Sequence, residues 1–149
     1  MAVADAVAEL AHDHADINRQ ILALGAQLPA LAGSGRPLAE PFAALREQLF
    51  LHFAREEEGL FPFVSETVPD LADQVHAMAS AHDTICGALA RMCHLAASGA
   101  EVGTIALVFQ RFEAAYGNHA RTEAELLAAL SRRLDEAQRA RLRALVDGL

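Results

Sequence analysis

Two short segments, "HFARE" (His52 to Glu56) and "HARTE" (His119 to Glu123), each place a histidine four residues before a glutamate. On a helix that spacing stacks an imidazole and a carboxylate on one face. Both side chains of a pair can then grip the same cation, or two neighbouring ones. Two further histidines, His14 and His82, stand alone in their segments, and each continues an apolar pattern rather than a polar one. Burying four imidazoles and two carboxylates without compensation costs several kcal/mol per ionised group. An interior hydrogen-bonded network is one way to offset that cost, and bound metal is the other. Six potential ligands in one layer favour metal.

The donor types narrow the ion. Imidazole with carboxylate suits iron, manganese or zinc, whereas an all-oxygen magnesium or calcium site has no use for four histidines. The donor set suits two ions bridged by both carboxylates, each ion taking two imidazole nitrogens and two carboxylate oxygens. Two zinc ions could stop there, tetrahedral and closed. Two irons would still have room for an oxo or hydroxo bridge and an open position for a small molecule. The residue types alone leave both open.

Four long segments must position these groups. Apolar residues recur in steps of three and four along each, the signature of an amphipathic helix. The first stripe runs Val3, Val7, Leu10, His14, Ile17, Ile21, Leu24, Leu28, and the second Phe42, Leu45, Leu49, His52, Glu56, Leu60, Phe63. The third runs Leu71, Val75, Met78, His82, Ile85, Leu89, Met92, and the fourth Ile105, Phe109, Phe112, Tyr116, His119, Glu123, Leu126, Leu130. Breaks at "LPALAGSGRP", "FPFVSETVPD" and "AASGAEVG" separate them, with Pro62 read as a helix end and Pro37 as suited to a helix start. Short connections between four such stripes predict an all-α, antiparallel up-down four-helix bundle. The bundle is expected over about residues 3–131 of a single domain spanning 1–149. A short C-terminal helix is expected over about 135–148, opened by Asp135 and Gln138 at capping-box spacing. With Leu134, Leu142, Leu145 and Val146 it reads as a cap across one bundle end or as a dimer contact.

In an antiparallel pair, residues equally far from the shared turn lie at the same height. His14 and His52 each lie about 14 residues from the first turn, His52 and His82 about 12 from the second, and His82 and His119 about 16 from the third. The six polar groups therefore share one layer. His12, His76 and His94 fall off the stripes and read as surface histidines, and so do Glu57 and Glu58, which are rotated about 100° and 200° from Glu56.

Composition sets the remaining bounds. The chain of 149 residues carries a formal net charge of −8, and all 12 basic side chains are arginine. That balance argues against nucleic acid and anionic membrane as partners. Five of the arginines cluster between Arg132 and Arg143 and read as a solvated helix face. No basic leader with an apolar core opens the sequence, and no apolar run reaches the roughly 18 residues that span a bilayer, so a cytoplasmic location is expected. Cys86 and Cys93 are seven apart on one helix, about 10 Å between Cα atoms, too far for a disulfide.

The pattern His14, "HFARE", His82, "HARTE", with "LFP" after the second motif, resembles the hemerythrin-like HHE cation-binding domain in order, spacing and helix count. The resemblance implies a non-haem di-iron centre held by His14, His52, His82 and His119, with Glu56 and Glu123 as bridges and zinc or manganese as possible substitutes. Oxygen-carrying hemerythrins have another histidine one turn before the third-helix ligand, where this chain has Met78. They also carry an aspartate in the fourth-helix motif, where this chain has Glu123. Four His with two Glu is more similar to the branch of stand-alone redox HHE proteins and iron-centre repair proteins.

The expected function is binding or reduction of a small oxidant such as O2, peroxide or NO, with an electron donor that the sequence does not identify. The alternative is a gas- or iron-sensing module without turnover. A ferritin-like oxidase is disfavoured, because only Glu9–His12 has the Glu-x-x-His spacing of that class and His12 is off the stripe. Tyr116, one turn before His119, is either a core aromatic or a catalytic group that donates to a bound oxygen species or adds a metal ligand. Phe53 and Phe112 are expected to keep the centre dry. The chain is expected to be a monomer or a dimer.

Overall fold

A computed structural model describes residues 5–148, so Val3 of the first stripe lies outside the described residues. Helix α1 spans Ala6–Gln27, and the Asp5 carboxylate caps it by accepting from the Val7 N–H at 3.1 Å. The second rod begins as α2, Ala39–Arg55, passes through a π turn, Glu56–Leu60, and ends as α3, Phe61–Thr67. Helix α4 spans Ala72–Ala97, α5 spans Val102–Arg133, and α6 spans Glu136–Asp147. Among the described residues there is no strand, and the fold is the expected all-α bundle.

The connections α1–α2 and α4–α5 meet at one end of the bundle and zip together. The Gly35 N–H donates to Ala100 O at 2.7 Å and the Val102 N–H to Gly33 O at 2.9 Å. Gly33 and Gly99 sit at φ +77 and +78 in these turns, a region that side chains with a Cβ rarely adopt.

Pro62 does not end the second helix. The Phe61 N–H reaches back to Glu56 O, five residues away, and the extra residue in that turn sets Pro62 in the first turn of α3. Pro62 has no N–H to donate to the preceding turn, yet the rod continues to Thr67. At the C-terminus the expected capping box is present: Asp135 accepts from the Gln138 backbone and the Gln138 side chain accepts from the Asp135 backbone. Helix α6 lies against α1 and the π turn and buries Leu142 and Val146, while Leu145 stays 42% exposed.

The core divides in two. One apolar cluster, from Ile17 and Leu49 to Ile85 and Tyr116, fills the end with the zipped loops. The other, from Leu10 and Leu60 to Met78 and Leu126, fills the end closed by α6. Between them lies a polar layer of His14, His52, Glu56, His82, His119 and Glu123, all 5% exposed or less.

Candidate metal centre

The six side chains singled out by spacing converge. His14 comes from α1, His52 from the last turn of α2, Glu56 from the start of the π turn, His82 from the middle of α4, and His119 and Glu123 from consecutive turns of α5. Glu123 lies 3.0 Å from His14 Nε2 and 3.3 Å from the Nε2 atoms of both His52 and His119. Glu56 lies 3.4 Å from His52 Nε2 and 3.1 Å from His82 Nε2. They form two adjoining triads of metal-ligating type, His14/His52/Glu123 and Glu56/His82/His119.

Short distances do not make these contacts hydrogen bonds. His14 Nε2, His52 Nε2 and all four oxygens of Glu56 and Glu123 are buried, and none has an aligned hydrogen-bond partner. His82 Nε2 and His119 Nε2, 3.2 Å apart, are placed to hydrogen-bond to each other. For the remaining atoms, close approach without alignment is how ligands sit when they face a shared point. Buried polar atoms left unpaired each cost about 1–3 kcal/mol, and cations at those points would satisfy them together. The donor set therefore fits a metal centre.

The local electrostatics favour the same occupant. Burial pushes the His14 imidazole down to about 4, with neighbouring His52 adding to the effect and Glu56 opposing it. Burial likewise pushes His119 down to about 4, against the attraction of Glu56. Burial alone would raise Glu56, but its contacts with His52 and His82 outweigh that and hold the carboxyl at about 2. Neutral imidazoles beside a charged carboxylate are in the protonation state that metal binding requires.

The two triads have different surroundings. His82 packs against Phe53, centroids 3.7 Å apart and nearly parallel, and against Phe61 at 5.6 Å. His14 instead borders two surface clefts of about 410 and 310 Å³ between α1 and α5, and Tyr116 lines the larger. The Tyr116 ring is buried, centred 5.7 Å from His14 and stacked on Phe112, and its hydroxyl has no partner. Burial, reinforced by the charge of Glu56, raises the phenol well above its ordinary range, so it remains a donor.

His12, His76 and His94 are exposed, as their positions off the stripes require. Cys86 and Cys93 are both free thiols. Spacing did not disclose Glu57. It is exposed, yet its Oε1 lies 3.2 Å from His82 Nδ1. In a π turn each residue advances less round the axis than in an α-helix, so Glu57 remains nearer the inward face than α spacing puts it. The signal was Pro62, which cannot donate to the ladder of the preceding turn. The Asp13–Arg55 ion pair, 3.1 Å, also pins α1 to α2 beside the layer.

A four-rod helical bundle with a buried layer of paired His and Glu donors belongs to the class of bundle metalloproteins. The family model of the hemerythrin HHE cation-binding domain matches residues 5–147, and the chain belongs to that family. Comparison with curated proteins and with solved structures gave no match.

Proposed function

We propose that the protein is a non-haem di-iron protein that binds or reduces a small oxidant of the O2, peroxide or NO type. In this reading His14, His52, His82, His119, Glu56 and Glu123 would hold the cations. The observation that carries it is the one-sided opening of a layer that is otherwise dry. The donors around His82 are closed off by phenylalanines, and those around His14 face clefts that admit a small molecule. A redox-active cation pair supplies the electron exchange when bound. The chain's own residues hold the cations, exclude bulk water, and present the Tyr116 hydroxyl beside His14 as a hydrogen-bond donor.

Metal analysis of the purified protein tests the reading, together with absorption spectra before and after O2, peroxide or NO. About two irons per chain and a spectrum that responds to one of these are expected. A chain that takes up no iron, or a loaded chain whose spectrum is inert to all three, rules it out.

A sensing role without turnover has one observation in its favour. Helix α6 rests on the π turn that carries Glu56, so a change at the metals has a direct mechanical route to the surface. An oxidation-dependent change in the exposure of α6 to protease distinguishes it from simple turnover.

A further inference from the structure

The four layer histidines are not supported alike. His52 Nδ1 and His119 Nδ1 are buried without a partner, whereas His82 Nδ1 meets the Glu57 carboxylate at 3.2 Å. A carboxylate accepts and does not donate, so the ring proton of His82 must sit on Nδ1 for this contact to be a hydrogen bond. That leaves the lone pair on Nε2, the atom aimed into the layer at Glu56 and His119. Phe53 stacks on the imidazole at 3.7 Å and Phe61 lies 5.6 Å away at a small interplanar angle, and together they hold the ring plane while Glu57 sets its rotation and tautomer. The other end of Glu57 is in solvent, with its side chain 45% exposed. It lines a surface groove between α3 and α4 that also holds Asp73 and His76.

From this we infer that Glu57 is a positioning residue for the metal centre, acting through His82 and making the two halves of the layer electronically unequal. The inference rests on the metal reading of the layer and goes beyond it, because Glu57 touches no point where a cation would sit. A carboxylate behind a ligating imidazole fixes its tautomer and makes the ring a stronger electron donor. The half served by His82 and His119 is therefore the one better suited to the oxidised metal. The half beside His14, without such support, is the one that faces the clefts.

Two measurements separate this inference from the metal reading. In the metal-free protein, imidazole 15N chemical shifts report the tautomer directly. His82 is expected to show a protonated Nδ1 and a bare Nε2. Glu57→Ala should move both signals toward the average, Glu57→Gln should preserve the pattern because its amide oxygen still accepts, and Glu58→Ala should change nothing. In the iron-loaded protein, Glu57→Ala is expected to keep full stoichiometry at saturation and to bind about tenfold or more weakly. Its reduction potential should rise, and Glu58→Ala should match the unaltered chain. An unchanged His82 pattern in Glu57→Ala, or an equal change in Glu58→Ala, overturns the inference. Failure of the unaltered chain to bind iron, manganese or zinc overturns the metal reading instead, and the metal-free 15N experiment still decides the role of Glu57.

Discussion

The Nε2 atom of His14 on α1 lies 3.0 Å from Oε2 of Glu123 on α5. The same carboxylate approaches His52 and His119, so it joins donors from three of the four rods, whereas Glu56 approaches only His52 and His82. Glu123 is thus the most connected group of the layer and belongs to the triad that opens toward the clefts.

Glu123→Ala is therefore expected to abolish metal uptake, since each triad loses a contact. Glu56→Ala should also lose metal. Glu58→Ala, exposed on the same π turn as Glu56, should retain all of it. Metal content per chain, measured after dialysis of the three variants side by side, checks this, and equal content in all three would refute the ligand assignment.

The depressed histidines give the metal-free chain a defined acid sensitivity. Folded His14 and His119 titrate near 4 rather than near 6.5. Between those values the unfolded chain binds more protons, so stability falls as the pH drops through that window. Each group is worth at most about 3 kcal/mol there. Glu56, held at about 2 against an ordinary 4.5, extends the loss further into acid. Urea midpoints of the metal-free protein at pH 7, 5.5 and 4.5 should decline in that order, and a flat series contradicts the assignment.

Most of this centre was legible because each ligand replaces an apolar residue on a stripe with helical spacing. His14 between Leu10 and Ile17, and His82 between Met78 and Ile85, are visible in one dimension for that reason, and all four flanking residues are buried as expected. The heights of the ligands followed from turn positions, which Gly and Pro mark plainly. The π turn was not legible. Pro62 announces that the α-helical ladder cannot run unbroken, but whether a helix stops or takes in an extra residue depends on what the following segment can bury. Here Phe63 and Val64 are 1% exposed or less, which favours continuing the rod. The position of Glu57 beside His82 follows from that turn and was hidden with it. The bridge between Ser34 and Glu101 joins loops far apart in sequence, and no local pattern encodes it.

Tyr116 offers a test in which stability and reactivity separate. Its hydroxyl is buried and unpartnered, and an unsatisfied buried group of this kind costs about 1–3 kcal/mol. Tyr116→Phe should therefore leave the metal-free protein as stable as before, or more so, in a thermal melt. If the hydroxyl serves an oxidant beside His14, the same variant should slow oxidation of the loaded protein by peroxide. A substantial drop in melting temperature would mean that the hydroxyl has a structural partner.

Helix α6 couples the far end of the bundle to the layer. Leu142 is fully buried in the cluster that contains Leu60, Phe61 and Leu126, and α6 rests on the π turn. Leu142→Ala should cost about 2–5 kcal/mol, the range for emptying a well-packed leucine site. Because the loosened helix leaves Glu56 on a less constrained turn, the variant should also release metal to a chelator faster than the unaltered protein. Arg133→Ala is the control. It breaks an exposed pair with Asp70, 2.7 Å apart, and such pairs add little to stability. Its urea midpoint and metal release should match the unaltered chain. If Leu142→Ala lowers the midpoint and leaves metal release unchanged, the π turn holds Glu56 without help from α6, and the mechanical route from the layer to the surface is absent.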